Sequence, residues 1–173
     1  MNAIPTEEEC FNLLHEVGCD EKVIRHSKAV YDVAVKIAQK IDVDMTLVKA
    51  GALLHDIGRS KTNGIRHAIE GAKIAKKFGL APSLISIIEC HLGAGLSKDI
   101  ASSLGLPRKD YIPITLEEKI VCHADNLIDD WSRQPIEKEV ERALSEGNKH
   151  YALQLIKLHK ELSDLCGMDL NNI

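Results

Sequence analysis

The chain has 173 residues, of which 45% are hydrophobic and 28% are charged, and its formal net charge is -4 at pH 7. This length and composition predict one globular domain that buries its own hydrophobic core without disulfides. The negative charge and an aromatic content of only 3% argue against an extended nucleic-acid surface, which needs basic side chains and rings that stack on bases.

Apolar residues recur at helical spacing from the amino terminus onward. A capping box of Thr6 and Glu9 opens the first predicted helix, which Gly18 ends. Asp20 can cap the second helix, in which apolar side chains follow one face as far as Ile41. Both segments are therefore predicted as amphipathic helices.

The third predicted helix is the most apolar. It begins after Asp44 and runs through LVKAGALLHDIG to Gly58, and its apolar circumference indicates a helix buried on most sides. A loop leads into a fourth helix over about 67–78. Pro82 fits the first turn of a fifth helix that extends to His91.

The rest of the chain continues the same pattern. A short helix is expected over about 97–104, and a second capping box at Thr115 opens a helix to about Trp131. Two further helices, about 136–146 and 148–165, complete the chain. Since no alternating strand, repeat or domain linker is present in the sequence, we predict an all-α fold of about seven to nine helices.

The cysteines and the amino terminus indicate in which cellular compartment the protein is expected. The five cysteines are scattered, odd in number and never spaced as CxxC, which is typical of buried thiols in a reducing cytosol. The segment MNAIPTEEEC lacks the pattern of a signal peptide. No apolar run approaches the roughly 20 residues that span a bilayer, so we expect a cytoplasmic protein that does not enter a membrane.

His55 and Asp56 are adjacent at the end of the apolar third helix. A carboxylate buried there without a partner costs several kcal/mol. A divalent cation is one partner that satisfies a carboxylate and an imidazole together. The alternative is a histidine that caps the helix beside an aspartate in solvent, and the dipeptide alone does not separate the two interpretations.

Further candidate ligands lie in or beside other apolar helices. They are His26, His67, His91 and Asp125. Each helix contributes at most one or two such groups, which is how metal sites in the core of helical bundles are assembled. Spacing alone does not show that these groups meet.

The remaining histidines are not predicted as ligands. His123 lies two positions before Asp125, which turns its side chain roughly 200° away on a helix. His15, His150 and His159 have charged neighbours on peripheral helices, and we expect them at the surface.

The ordered set resembles the H…HD…D signature of the HD superfamily, in an extended H…HD…H…H…D form. HDIG at 55–58 and HAIEG at 67–71 are similar to elements of the HD-GYP phosphodiesterases. His91 matches the first of their paired downstream histidines, and Leu92 replaces the second. Because the diglycine-tyrosine-proline motif is absent, cyclic dinucleotide specificity is not carried over.

The pattern also resembles bacterial HD-type diadenosine tetraphosphate hydrolases and archaeal HDIG-domain proteins of unassigned activity. The resemblance covers about residues 20–130, and the helices over about 136–165 are expected to pack on that core. It implies a single HD-type helical bundle over residues 1–173.

The resemblance also implies a ligand set. One metal takes the equivalents of His26, His55, Asp56 and Asp125, and Asp56 bridges to a second metal held by His67 and His91. Mixed imidazole and carboxylate ligands suit iron, manganese, cobalt, nickel or zinc. We therefore expect one or two divalent transition-metal ions.

Charged residues near the motif are candidates for contacts with substrate. Arg59 follows HDIG directly, where HD-GYP proteins commonly carry a lysine, and it can clamp a phosphate oxygen. Asp56 and Arg59 are thus the predicted catalytic residues. Loop cations that can rim the same site, or be simply solvated, are Lys61, Arg66 and Lys98. Asp129 is expected one helical turn beyond Asp125 and on the same face.

Three functions fit these residues. The first is a phosphohydrolase that acts on a small phosphorylated substrate, a nucleotide or another phosphate ester, through a metal-activated water. The second is a mixed-valent diiron oxygenase, because myo-inositol oxygenase has the same ligand order. The third is a non-catalytic helical module with a structural metal. Trp131 and the C-terminal helices can cover the core or form a homodimer surface, and the sequence favours neither.

Overall fold

A computed structural model describes residues 4–173, so the first three residues of the acidic amino-terminal segment lie outside the described range. Within that range the chain forms nine α-helices, two 3₁₀ turns and one small hairpin, which confirms the predicted all-α fold. The helices are α1 (Glu7–Glu16), α2 (Glu21–Ala38), α3 (Met45–Leu54), α4 (His67–Lys77), α5 (Pro82–Cys90), α6 (Lys98–Ser103), α7 (Leu116–Asn126), α8 (Ile136–Ser145) and α9 (Lys149–Cys166). The 3₁₀ turns are Ile57–Ser60 and Leu170–Asn172, and the hairpin pairs β1 (Ile128–Asp129) with β2 (Ser132–Arg133).

Helix starts lie where the sequence predicts them, because side chains satisfy the free N–H groups of the first turn. The capping boxes that begin at Thr6 and Thr115 are complete in both directions. Three further side-chain caps open α2, α3 and α6, and they are Asp20, Asp44 and Ser97. Local chemistry thus fixes the start of each of these helices.

The predicted end of the third helix is wrong by one turn. Helix α3 ends at Leu54 instead of Gly58, and the chain tightens into the 3₁₀ turn Ile57–Ser60. The Arg59 N–H donates to the carbonyl of Asp56 at 2.9 Å in this turn. The HD pair therefore lies at a junction between two kinds of helix, where its side chains can reach groups on other elements.

The predicted helix to Trp131 is also too long. Helix α7 ends at Asn126, and the chain reverses through a hairpin whose two turn residues are Asp130 and Trp131. The Gln134 side chain donates to the freed Asn126 carbonyl at 3.1 Å, which replaces a bond of a longer helix. Asp129 is therefore not one helical turn beyond the candidate ligand on α7.

Helix α3 lies at the centre of the fold, as its apolar circumference predicts. Seven of its ten residues are buried, and it packs against α1, α2, α5 and α7. Gly51 allows α5 to approach closely, since a Cβ there would fall 2.9 Å from the Ile87 side chain. Helices α8 and α9 pack on each other, and α9 covers α7. None of the described helices is long and apolar enough to cross a membrane.

The cysteines follow the prediction with one exception. All five are free, and Cys166 is partly exposed while the other four are buried. Burial raises the pKa of Cys10 to about 12 and that of Cys19 to about 11. The buried thiols are therefore neutral packing groups at physiological pH.

A chain of side chains ties α9 and the C-terminal turn to α7. Nε2 of His123 lies 2.9 Å from Nδ1 of His159, whose Nε2 lies 2.9 Å from a carboxylate oxygen of Asp169. Because the carboxylate accepts, His159 donates to Asp169 and accepts from His123. The surface position predicted for His159 is therefore wrong, whereas His15 and His150 are exposed as expected.

We expect His123 to make the fold sensitive to acid. Burial, with smaller effects of His159 and Arg133, lowers the pKa of His123 to about 3. Since the unfolded chain titrates near pH 6.5, it binds a proton between about pH 6.5 and 3 that the native state does not bind. Stability is therefore lost as pH falls through this window, by up to about 1.4 kcal/mol per pH unit.

The variant His123→Gln keeps an N–H for His159 but does not titrate. Urea unfolding at pH 7 and pH 5 should show that the wild type loses roughly 2 kcal/mol more than this variant between the two values. An equal loss in both proteins would show that His123 is not the titrating group.

Candidate metal centre

The side chains predicted as metal ligands come from five places in the chain and converge on one point. They are His26 of α2, His55 and Asp56 after α3, His67 at the start of α4, His91 after α5, and Asp125 of α7. His26 and Asp125 are 99 positions apart in the sequence, yet Nε2 of His26 lies 2.9 Å from Oδ1 of Asp125. We divide the convergent atoms into an outer and an inner cluster.

The outer cluster consists of His26, His55, Asp125 and the Oδ2 atom of Asp56. Nε2 of His55 lies 3.7 Å from Asp125 Oδ1, and Asp56 Oδ2 lies 3.8 Å from His26 Nε2 and 3.7 Å from His55 Nε2. His26, His55 and Asp125 each offer one atom, and these atoms lie within 4.8 Å of one another. Separations of this size are those of groups that can share one metal ion.

The inner cluster consists of His67, His91 and the Oδ1 atom of Asp56. Oδ1 lies 3.2 Å from Nε2 of His67 and 3.4 Å from Nε2 of His91. The two Nε2 atoms lie 2.9 Å apart. Each oxygen of Asp56 thus faces a different cluster, which is the arrangement of a carboxylate that can bridge two cations.

Backbone carbonyls orient all four imidazoles. Each Nδ1 bonds to a carbonyl oxygen, which can only accept, so Nδ1 carries the hydrogen and Nε2 points into the centre. The pairs are His55 with Ala52 at 2.8 Å, His67 with Gly64 at 2.9 Å, His91 with Ile88 at 2.7 Å, and His26 with Asp130. Ala52 and Ile88 lie in the last turns of α3 and α5, where carbonyls lack helical partners. The helix ends therefore set the ring orientations.

The donor atoms fit a cation. Nε2 of His55 and Oδ1 of Asp56 are buried and have no hydrogen-bond partner among the described residues. Unpaired buried polar atoms cost about 1–3 kcal/mol each, and a cation would satisfy both of these lone pairs at once. Imidazole nitrogens with carboxylate oxygens are a donor set suited to divalent transition metals.

The imidazoles of the centre control the ionisation of its two carboxylates. Burial by itself would raise the pKa of Asp56, but the facing His55, His67 and His91 hold it well below its ordinary value. Burial likewise opposes ionisation of Asp125, and its hydrogen bond with His26 overcomes this and lowers its pKa. Both carboxylates are therefore ionised at neutral pH.

The pKa of His26 is raised, whereas the pKa values of the two carboxyl groups are lowered. Burial alone would lower its pKa, but the hydrogen bond and charge of Asp125 raise it to about 9. A cation that binds the outer cluster must therefore displace a proton from His26, and cation binding weakens as the pH falls.

A cavity of about 310 Å³ opens onto the outer cluster. It is lined by Lys22, Val23, His26, Asp56, Arg59, Asp130 and Trp131. Arg59 Nε donates to Asp56 Oδ2 at 2.6 Å and Arg59 Nη1 to the Asn63 carbonyl at 3.2 Å. Arg59 thus lines the cavity and also holds the Asp56 carboxylate, while its predicted contact with a phosphate stays a prediction.

The other predicted substrate contacts do not line this cavity. Arg66 donates to the Gly105 carbonyl at 2.9 Å, and Lys61 and Lys98 are exposed on other parts of the surface. Asp129 is exposed on the hairpin and lies 3.8 Å from Arg142. The predicted helical position of Asp129 is wrong because α7 ends before it, whereas its contact with a substrate stays a prediction.

Four residues that line the cavity were not found as site residues from the sequence, and two of them, Lys22 and Trp131, carry side chains that can contact a ligand. Lys22 lies one turn before His26 on α2, and that spacing was a usable signal. Trp131 reaches the cavity through the hairpin, which the helical pattern of the sequence conceals.

Residues 23–129 match the HD domain family. The chain belongs to the HD domain family. It is 46% identical over 98% of its length to a tRNA (cytidine(56)-2'-O)-methyltransferase of Picrophilus torridus, of which it covers 50%. It is 44% identical over 91% of its length to an uncharacterized protein of Methanocaldococcus jannaschii, of which it covers 97%.

The chain thus spans about half the length of the methyltransferase and nearly the full length of the M. jannaschii protein. It also resembles the solved HD domain of the L. monocytogenes phosphodiesterase PgpH in complex with cyclic-di-AMP, with a TM-score of 0.61 and 20% identity. That match covers 90% of this chain and 93% of the other. At this identity the likeness shows the fold.

Two glycines bring the start of α4 against the HD motif. A Cβ on Gly58 would fall 1.8 Å from the carbonyl oxygen of His67 and 2.4 Å from the amide nitrogen of Gly71. A Cβ on Gly71 would fall 2.8 Å from the side chain of Ile88. Glycine at these positions of HDIG and HAIEG therefore lets His67 reach Asp56.

We expect Gly58→Ala to be among the most damaging single-methyl additions to this HD domain. Backbone atoms cannot move aside as side chains can, so the free energy of unfolding should fall by about 3 kcal/mol. Gly64→Ala is the control, because its Cβ would lie at an ordinary 3.6 Å from Thr62 Oγ1. Thermal unfolding of the two variants compares them directly, and equal melting temperatures would contradict the close approach.

Proposed function

We propose that this HD domain is a metal-dependent phosphohydrolase that acts on a nucleotide or another phosphate ester. The observation that carries the proposal is Asp56, whose two oxygens face two separate imidazole clusters beneath an open cavity. The outer cluster would hold one divalent cation and the inner cluster a second, and Asp56 would contribute one oxygen to each. Divalent cations bound there supply positive charge that stabilises phosphoryl oxygens and acidifies water.

The protein's own residues prepare this chemistry. Carbonyl bonds to each Nδ1 fix the imidazoles before any cation binds, so little reorganisation is needed. The guanidinium of Arg59 has five N–H donors, and among residues 4–173 only Asp56 and Asn63 engage them, through two of its nitrogens. The remaining N–H groups can bind oxygens of a phosphate in the cavity.

The openness of the site favours a catalytic metal over a structural one. The side chains of His26 and Asp125 remain 19% and 26% exposed, and the cavity reaches the outer cluster. A closed shell would instead characterise a structural ion. The open face leaves room for water and substrate beside the ligand atoms.

The comparisons support hydrolysis of a phosphate ester by analogy. The PgpH protein with the same fold is a phosphodiesterase. The methyl transfer named for the P. torridus protein belongs to a protein twice as long, while the M. jannaschii relative has nearly the length of this chain. The proposal concerns the segment that all these proteins share.

Metal content tests the shared carboxylate. Asp56→Ala should lose metal from both clusters, whereas His91→Ala should lose about one equivalent and keep the outer ion, because only the inner cluster contains His91. Plasma mass spectrometry of the dialysed proteins gives the stoichiometry, and His15→Ala, at an exposed position, is the control. Full metal content and full activity in Asp56→Ala would disprove the proposed centre.

A second test separates hydrolase from oxygenase. Protein purified anaerobically and loaded with manganese, iron or cobalt should release phosphate or nucleotide from a panel of nucleotides and dinucleoside polyphosphates at the same rate with and without O₂. A chelator should abolish this activity. O₂ consumption with a mixed-valence EPR signal would favour the oxygenase instead, and inactivity of every metal form on every substrate would refute the hydrolase.

A further inference from the structure

The hairpin after α7 places an indole on the wall of the cavity. Trp131 lines the cavity together with His26, Asp56 and Arg59, and it is 38% exposed. It is the only tryptophan of the chain and the one aromatic ring, apart from the histidine, among the residues that line this cavity. A partly exposed indole beside a candidate metal centre is a surface on which a flat ring can stack.

The turn of the hairpin is fixed to the candidate metal centre. The Asp130 carbonyl accepts the hydrogen bond from Nδ1 of His26. Asp130 has a φ of 54°, a left-handed conformation that aspartate tolerates better than most residues. Since Trp131 follows Asp130 directly, the contact that orients His26 also fixes the backbone from which the indole projects.

Arg25 positions the indole from one side. Its Cζ atom lies 4.2 Å from the centre of the Trp131 ring, within the range of a cation–π contact. Arg25 is adjacent to His26 on α2, so two neighbouring residues of the helix contact two neighbouring residues of the turn. This double contact fixes the ring relative to the ligand atoms.

Cations flank the same cavity. Lys22 and Arg59 both line it, on α2 and on the 3₁₀ turn respectively. The cavity therefore joins positive side chains for phosphate, ligand atoms for a metal and one aromatic ring for a base. Its volume of about 310 Å³ lies within the range of small-molecule sites, about 300–1,000 Å³, and its single indole offers a stacking surface for one base.

We propose that Trp131, held by Arg25, is the base-stacking residue of this site and that the substrate is a nucleotide with one base next to the scissile phosphate. This inference rests on the proposed phosphohydrolase function for the reaction but not for the binding. Stacking on an aromatic side chain strengthens binding by an amount that corresponds to about tenfold or more per base. A phosphorylated sugar without a base has no aromatic ring to stack on the indole, so its binding is not strengthened in this way.

Binding to the metal-free protein tests the inference independently of catalysis. Because Trp131 is the only tryptophan, its fluorescence reports ligands that stack on it. Each of the four nucleoside 5'-monophosphates should quench this fluorescence, and ribose 5-phosphate at the same concentration should not. If no nucleotide quenches, or if ribose 5-phosphate quenches equally, the inference is wrong.

Variants test the role of the ring by calorimetry. Trp131→Leu should weaken nucleotide binding about tenfold and leave ribose 5-phosphate binding unchanged, while Trp131→Phe should retain most of the nucleotide affinity. Leu153→Ala is the control, at an exposed position on α9. Equal losses for nucleotide and sugar phosphate in Trp131→Leu would indicate a structural role and overturn the inference. Binding as expected without turnover of any phosphate ester would refute the hydrolase but not the base site.

Discussion

The arrangement of the centre depends on one buried carboxylate. Asp56 lies between two imidazole clusters, and a charge buried at that depth is tolerable only if oppositely charged groups or cations surround it. This requirement explains why ligand candidates converge there from five parts of the chain. It also explains why the carboxylate of Asp56 stays ionised although burial opposes its charge. The fold around α3 serves to place these groups at that one position.

The ends of two helices fix the orientation of two candidate ligands. His55 and His91 follow the last residues of α3 and α5, and their Nδ1 atoms bond to carbonyls that a helix end leaves free. Gly58 then admits the start of α4 so closely that no side chain fits between the two backbones. The same features that terminate helices thus orient the candidate ligands.

The open side of the centre is shaped by the hairpin. Its turn bonds to His26 through Asp130 and presents Trp131 on the cavity wall. The candidate ligands lie within residues 23–129, which match the HD domain family, whereas one wall of the cavity is formed by a local departure from helical structure at Asp130 and Trp131. Such a division lets one metal chemistry be combined with different substrates.

The sequence by itself determined the capped helix starts, the apolar α3 and, through its resemblance to HD proteins, the ordered set from His26 to Asp125. Caps and apolar periodicity are local patterns, and the motif is an order of residues along the chain, so all of them can be found in a single sequence. Only the tertiary structure decided where α3 and α7 end, that His159 is drawn inward to His123, and that the hairpin turns Trp131 into the cavity. The physical reason is that these outcomes depend on partners distant in the chain, and no helical period encodes which distant group a side chain will meet.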